Sequence, residues 1–487
     1  MTIIVNTKLG EHRGKKRIWL EGQKLTRNGF EPGMKLQVSL KGSKLILKAG
    51  HVGQFTVSRR ERNGTNTPII DVTANELATV FDGVRMLRAV IREGSIIIEA
   101  HQEHARIKER VERLVSKLEQ GTPLDVCSLF HGGGVLDKAL HAGLKKVGIS
   151  SKVSVAVEIE AKYLDSSLRN NPELWSQDSI LIESPIEDVI LNRNPPPVDI
   201  VIGGIPCTGA SKAGRAKNKL EFAESHDEAG AMFFHFLQFV QVLNPSIVII
   251  ENVPEYANTA SMQVIRSVLA SLGYGLQERV LDGNEFGALE KRKRLCAVAI
   301  TEGLQGLFDL QKVTSIKQAQ KCLNDILEPM PLDSDRWRSF DYLAEKQERD
   351  REAGKNFNRQ LLTGEEPYCG TIGRDYSKCR STEPFLLHPQ QSNLSRIFTP
   401  VEHARIKGIP ESVIEGLSDT TAHQVLGQSV VFPVFEALAL HLGKGISKAV
   451  KSLQNIYQPD PGKQIPGKGS FPGFFADGGS QRPLFAA

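Results

Sequence analysis

The chain has 487 residues, 40% hydrophobic and 24% charged, with a formal net charge of +5 and a pI near 8.7. That length predicts about two to four domains. The ordinary composition excludes collagen-like and wholly disordered classes, and no apolar run is long enough to span a bilayer. The mild basic balance permits a nucleic-acid partner without implying one.

The six cysteines (Cys127, Cys207, Cys296, Cys322, Cys369 and Cys379) form no CxxC pair and no His/Cys cluster with zinc spacing, so no metal site is expected. Scattered cysteines predict a reducing cytoplasm. The start, MTIIVNTKLGEHRGKKR, has no apolar core followed by a cleavage site, and no signal peptide is expected.

Residues 1–100 read as a small β-rich module built on an internal repeat. Ile18, Leu20, Leu25, Gly42, Ser43 and Leu45 recur 52 positions later as Ile70, Val72, Leu77, Gly94, Ser95 and Ile97. The first copy reads as strand, short helix or turn, strand, glycine turn, strand: RIWL, LTRNGFEPG, KLQVSL, KGS, KLILKA. The second offers PIIDVT, NELATVFDG, MLRAVIRE and SIIIEAH. Two copies this small are expected to complete one shared core. The first copy is rich in Lys and Arg, suited to phosphates or simply to a solvated face. The pattern, chiefly NGFEPGMKLQV before a glycine hairpin, resembles the swapped-hairpin fold of AbrB- and MazE-type DNA-binding domains and SymE-like proteins. That resemblance implies DNA binding.

Residues 101–122 place Ile107, Val111, Leu114 and Leu118 at helical spacing among charges, predicting one amphipathic linker helix ended by Gly121-Thr122-Pro123. From residue 123 to 300 apolar strands alternate with helices. LDVCSLF, VSVAVEI, VDIVIGG, SIVIIEN and LCAVAI read as buried, mostly parallel strands of an α/β, Rossmann-like sheet. Residues 301–395 lose that rhythm and read as an inserted small domain. The pattern resumes over residues 396–445, and the Pro-, Gly- and Lys-rich tail, residues 446–487, predicts little packed structure.

The residues suited to chemistry lie at strand ends. Phe130-His131-Gly132-Gly133-Gly134 follows the first strand and opens a helix, where glycines let the backbone approach a nucleotide-like ligand. Glu158 ends the next strand, where an acid can hold ribose hydroxyls; a complete G-x-G-x-x-G is absent, which disfavours NAD. Cys207 follows Pro206 in an ordered-looking loop. It reads as either a small core hydrophobe or a thiolate whose pKa is lowered by Lys212, Arg215, Lys217 and Lys219. Glu251 stands just beyond IVII, as a capping acid or a proton-handling group. Arg292 and Arg294 precede LCAVAI, as a positive strand edge or a binding pair.

In order, DVCSLFHGGG, AVEIE, GGIPCTGAS, ENV, FGALEKRKRLCAVAI, RIFTPVEHARIKGIP and GQSVVFPVFEALA resemble the motifs of the DNA cytosine-5 methyltransferase family over about 320 residues. The resemblance implies S-adenosylmethionine as cofactor, double-stranded DNA as partner and a flipped cytosine as target. Cys207 would add to C6, Glu251 would contact N3 and the exocyclic amine, and Arg294 with Arg292 would hold the base carbonyl. Phe130, Gly132, Gly134, Glu158, Ile159, Pro206, Ser429 and Val430 would line the cofactor site. Residues 301–395 would be the target recognition domain, with Thr371-Ile372 as its usual T-(hydrophobic) dipeptide. Ser211, Lys212, Arg215, Thr371, Ile372 and Arg374 would meet DNA.

The chain departs from the family pattern at several positions. The nucleophile motif continues as Thr208-Gly209-Ala210-Ser211, Glu290 stands for the Gln of Gln-x-Arg-x-Arg, and Gln428 for the Asn of Gly-Asn. The motif usually written R-x-L-T-x-R-E-x-A-R-L-Q-G-F-P reads RIFTPVEHARIKGIP here. The position facing the adenine, usually acidic in the family, is open between Asp178 and Ser184. Two other readings are an RNA-directed (tRNA) enzyme of the same fold and a catalytically silent DNA-binding regulator. A bacterial or phage cytoplasmic protein is expected, with a restriction endonuclease as an optional partner; the target sequence and oligomeric state are unreadable.

Overall fold

Alternating apolar residues at Ile3, Val5 and Leu9 give the chain a first strand, β1 (Ile3–His12), whose burial alternates in step. In this computed structural model the described residues are 1–457 apart from 63, 192–194, 207–230, 305, 307, 318–321 and 355–357. They fall into two units, residues 1–108 and 109–455.

The first unit continues with β2 (Lys15–Glu21), α1 (Gln23–Thr26), β3 (Lys35–Lys41), β4 (Lys44–Gly50), β5 (Phe55–Thr56), β6 (Ser58–Arg62), β7 (Thr65–Thr73), α2 (Glu76–Val80), β8 (Met86–Arg92) and β9 (Ser95–Ala100). The strand order is β5-β3-β4-β9-β8-β1-β2-β7-β6. Only Val57 separates β5 from β6, at opposite ends of that order, so the sheet closes on itself and leaves no long free edge. The two copies interleave: β1 pairs with β8 of the second copy, and β5 pairs with β3 of the first.

The repeat shift is corrected for the second hairpin. Across β2 and β7, Trp19 faces Asp71 at the centre, a shift of 52 positions, with Ile18 opposite Val72 and Leu20 opposite Ile70. Across β4 and β9 the central pair is Ile46 and Ile97, a shift of 51. Leu45 therefore matches buried Ile96, not Ile97. Phe30 and Phe81, both buried, already show the shorter spacing. At a spacing of 52 throughout, β9 would turn its apolar set outward. The strands β1, β5 and β6 were not anticipated from sequence.

The second unit takes the C-terminal half of α3 (Gln102–Gln120). Leu114 is buried, with Val111 and Leu118 packed beside it. Arg113 Nε bonds Asp199 Oδ1 at 3.1 Å and Lys117 Nζ bonds Asp199 Oδ2 at 2.6 Å. This half of the helix is thus anchored to the base of the sheet.

That sheet comprises β10 (Leu124–Leu129), β11 (Ser151–Glu158), β12 (Ile180–Glu183), β13 (Ile200–Gly204), β14 (Ile247–Asn252), β15 (Tyr274–Asp282) and β16 (Lys293–Thr301), in the order β12-β11-β10-β13-β14-β16-β15. The interleaved helices are α4 (Val135–Lys145), α5 (Ala161–Asn170), α6 (Met232–Leu243) and α7 (Ala260–Ser271). Five strands are parallel, while β16 runs antiparallel to both β14 and β15. The α/β expectation holds. The order reverses between β10 and β13, so the crevice beyond their carboxyl ends is where a ligand site is expected.

Between residues 301 and 395 the chain forms β17 (Arg338–Ser339), α8 (Asp341–Glu352), β18 (Gln360–Leu362) and β19 (Pro384–Leu387). With β20 (Leu394–Arg396) these make a four-stranded sheet, β17-β20-β19-β18. The chain then returns as α9 (Pro400–Ile406), α10 (Asp419–Gln428) and α11 (Phe432–Tyr457). Thr399 and Glu402 form a capping box at the start of α9, and Arg396 grips both oxygens of Glu402 at 2.7 and 2.8 Å. Among the described residues no single helix is long and apolar enough to cross a membrane.

Candidate active site

The turn after β10 is shaped by backbone that ordinary residues avoid. Phe130, Gly132 and Gly134 have φ of +57°, +57° and +73°, which glycine adopts freely and Phe130 does not. Glu158, at the end of β11, steadies this turn: Oε2 accepts the Gly132 amide at 2.7 Å and Oε1 the Glu160 amide at 3.0 Å. Behind it, His131 bonds Ser128 at 2.9 Å and Ser167 at 2.8 Å, and Ser128 bonds Asp137 at 2.7 Å.

Two features fit this place to an adenosine. A carboxylate ends β11 beside the turn, and Ile159 next to it is 62% exposed. The Ser184 amide bonds the Glu158 carbonyl at 3.1 Å, which sets Ser184, of the two acid-side alternatives, beside Glu158. The end of α10 closes over the same turn. A Cβ on Gly133 would lie 2.5 Å from Val425, and one on Gly132 3.4 Å from the Gln428 amide. Ser429 and Val430 follow directly, so the two segments expected to line the cofactor site lie against each other.

At the adjacent strand ends, Gly204 of β13 lies opposite Glu251 of β14. A side chain at Gly204 would sit 2.9 Å from Glu251 Oε2, so the carboxylate needs that glycine. Arg294 Nε holds Glu251 Oε1 at 2.9 Å, with both side chains only partly exposed. Asn252 donates to the Ile205 carbonyl at 3.0 Å, fixing the chain just before Pro206. Cys207, Ser211, Lys212 and Arg215 lie outside the described residues.

Arg292 faces elsewhere. It is buried, paired with Glu290 at 3.4 Å, and donates to the Ile372 carbonyl at 3.2 Å and the Gly427 carbonyl at 3.1 Å. The expectation that it touches the base is corrected: its guanidinium is committed to main chain, and it acts as a positioning residue. Ile372 needs the same correction. Its side chain is fully buried among Leu289, Cys369 and Tyr376, so it anchors the segment instead of meeting DNA. Thr371 remains exposed, its hydroxyl donating to the Lys291 carbonyl at 3.2 Å. Arg374 bonds Glu160 at 3.1 Å and lies over the Tyr163 ring, beside the glycine turn.

One residue was missed from sequence. Lys407, fully buried at the end of α9, donates to the carbonyls of Leu426 at 2.5 Å and Ser429 at 2.7 Å. Its ammonium lies 3.7 Å from Glu290. Burial and the neighbouring Arg292 push Lys407 down to about 7. Burial pushes Glu290 up, but Lys407, Arg292 and the Ile372 amide hold its carboxyl below the ordinary value. The signal available was the charged letter in a motif position usually filled by glutamine.

Comparison with known proteins gives one family match, described as C-5 cytosine-specific DNA methylase, over residues 124–444. Among curated proteins, the chain is 28% identical over 264 residues to Type II methyltransferase M1.ScrFI of Lactococcus lactis subsp. cremoris, covering 53% of this chain and 65% of that one. It is 31% identical over 260 residues to Type II methyltransferase M.NlaX of Neisseria lactamica, covering 52% and 78%. Among solved structures, S. pombe Dnmt2 methyltransferase covers 68% of this chain and 99% of its own at a TM-score of 0.48 and 17% identity. The Entamoeba histolytica methyltransferase EhMeth covers 68% and 99% at 0.49 and 15%.

Proposed function

This chain belongs to the C-5 cytosine-specific DNA methylase family, and we propose that it transfers a methyl group from S-adenosylmethionine to C5 of a cytosine flipped out of duplex DNA. The observation that carries the reading is the Glu251–Arg294 pair at the carboxyl end of β14, held against Gly204 beside the strand-order switch.

The cofactor supplies an electrophilic methyl group on a sulfonium. Glu158, Ile159 and the turn at Phe130–Gly134 are the residues suited to its adenosine, with Val425, Gln428, Ser429 and Val430 closing the opposite side. The Cys207 thiolate adds to C6 of the cytosine and makes C5 nucleophilic. Glu251 faces N3 and the exocyclic amine, Arg294 orients that carboxylate and meets the base carbonyl, and together they stabilise the charge that develops on the ring. After methylation the C5 proton is lost to a base and the thiolate leaves from C6.

The barrel of residues 1–108 supplies a second DNA contact, supported by the basic side chains around its β1–β2 and β6–β7 hairpins: Lys15, Lys16, Arg17, Arg59 and Arg60. The Type II designation of the relatives supports work in a bacterial cytoplasm alongside an endonuclease of matching sequence.

A duplex carrying 5-fluorocytosine at candidate sites tests the reading, since fluorine cannot leave C5 as a proton does. The unmodified chain should be trapped covalently with cofactor present, and Cys207→Ser should bind the duplex without an adduct. Turnover by Cys207→Ser would overturn the thiolate role. Bisulfite sequencing of DNA from expressing cells gives the target sequence.

A further inference from the structure

Two departures from the family pattern meet in the folded chain. Glu290 stands where Gln-x-Arg-x-Arg has its glutamine, and Lys407 where the A-R-L-Q-G-F-P stretch has its own. Both are fully buried, with Lys407 Nζ 3.7 Å from Glu290 Oε2. We propose that Glu290 and Lys407 work as one positioning unit, a buried charge pair that fixes the recognition peptide at Ile372 and the C-terminal turn of α10 at 426–429 against Arg292 and the start of β16, which bears Arg294.

The bonds made by this group go to main chain of those two segments. Glu290 accepts the Ile372 amide at 2.8 Å while Arg292 donates to the Ile372 carbonyl, so both polar groups of one residue are held. Lys407 and Arg292 together take the carbonyls of Leu426, Gly427 and Ser429. The segments also touch directly: a Cβ on Gly427 would lie 2.1 Å from the Gly373 carbonyl oxygen. Residue 369 adds two main-chain bonds, to Leu289 and Lys291, at 2.8 and 2.9 Å. Charged partners give stronger hydrogen bonds than neutral amides do. Without Glu290, Lys407 and Arg292 would be two buried cations with no acid between them, and without Lys407, Glu290 would keep only the Arg292 contact at 3.4 Å, whereas two neutral glutamines bring no charge to be matched. Replacement at both positions is therefore coherent and replacement at one is not.

The groups facing Lys407 are Glu290, Arg292, Arg294 and Glu251, with His403 on its own helix and Cys369 beside Glu290. The ammonium, with a pKa of about 7, loses its proton as pH rises through that value, and the grip on the two segments weakens. A packing role alone would leave DNA affinity free of that dependence.

The inference rests on the methyltransferase reading, and its test is chosen to fail separately. Full-length chain, Glu290→Gln, Lys407→Gln and the double variant are compared for dissociation constants of a target duplex and of S-adenosylmethionine, neither of which needs turnover. Each single variant should weaken duplex binding at least tenfold, and the double should return to within threefold of the unmodified chain. Affinity of the unmodified chain should weaken severalfold from pH 6.5 to 8.5, and the double should lack that change. A double variant no better than the worse single overturns the pair, as do singles that lose thermal stability yet bind duplex normally. If both singles are insoluble, a soluble duplex-binding double supports the pair and an insoluble one overturns it. An unmodified chain that binds cofactor but no duplex defeats the DNA reading. The pair is then judged by whether cofactor affinity falls in the singles and returns in the double.

Discussion

The two units handle charge in opposite ways. Among the described residues of the barrel, the core is a continuous set of Ile, Leu, Val and Phe with Ala89, and Asn28 is its only buried polar side chain. The catalytic unit carries Asp199, Glu290, Arg292, Arg396, Glu402, His403, Lys407 and His423 inside it. A unit whose binding groups lie on its outer face can be built by doubling one apolar repeat. A unit in which three chain segments converge on one site must bring charges to the seam and match each one.

The sharpest way to break that contrast is to unmatch a seam charge. Arg396→Met leaves Glu402 buried without its bidentate partner and should cost the catalytic unit about 3–5 kcal/mol, read from the denaturant midpoint of its own unfolding transition. A loss under about 1 kcal/mol would rank the pair with surface ion pairs.

Acid should separate the units next. His403 and His423 stack with ring centroids 5.3 Å apart and share a hydrogen bond of 3.1 Å. Burial lowers both, His423 to about 4. Between about pH 6.5 and 4 the unfolded chain binds a proton that the folded one refuses, so stability falls as pH falls. From pH 7 to 5 this removes roughly 2 kcal/mol through His423 alone. His423→Asn should flatten that slope, and the barrel's transition should not move. Equal acid sensitivity in both units would refute the contrast.

How far these features were legible follows from how local they are. Ile18, Leu20, Ile70 and Val72 announced the repeat because alternation is written within each strand. The slip from 52 to 51 was hidden, because Leu45 and Ile97 match by letter while the fold matches Leu45 with Ile96. β1 was passed over because Asn6, Lys8 and Gly10 interrupt its apolar residues and the lettered repeat begins only at Ile18. The strand-end residues Glu158 and Glu251 were readable because each ends an unbroken apolar run. Ile372 was expected to meet DNA because Thr371-Ile372 fits the family's T-(hydrophobic) dipeptide, and only the tertiary bond to Glu290 shows what it holds. No local pattern joins Glu290 to Lys407. They meet because the segment leading into β16 packs on the end of α9, where the Leu289 amide bonds the Ile406 carbonyl at 2.9 Å.

Within the barrel the contrast can be sharpened by symmetry. Ile18 and Ile70 are both fully buried and occupy matching places across the β2–β7 pair. Ile18→Val and Ile70→Val should each cost roughly 0.5–1.5 kcal/mol, with values agreeing closely. Costs that differ by more than about 1 kcal/mol would show the two halves to be packed differently despite their common register.

The smallest stability effect is expected where the barrel's function is placed. Lys15 and Arg59 are exposed on the hairpin strands and make no part of the apolar core. Replacing both with Ala should change stability by less than about 0.5 kcal/mol. Each cation withdrawn from a phosphate should nevertheless lower the slope of log affinity against log salt by about 0.9, so the double variant should bind duplex DNA with a slope shallower by nearly two. The catalytic unit's own surface is untouched, so methyl transfer at low salt should persist. An unchanged slope would place the barrel's basic face against something other than DNA, because a surface that releases no counterions from the duplex is not touching its phosphates.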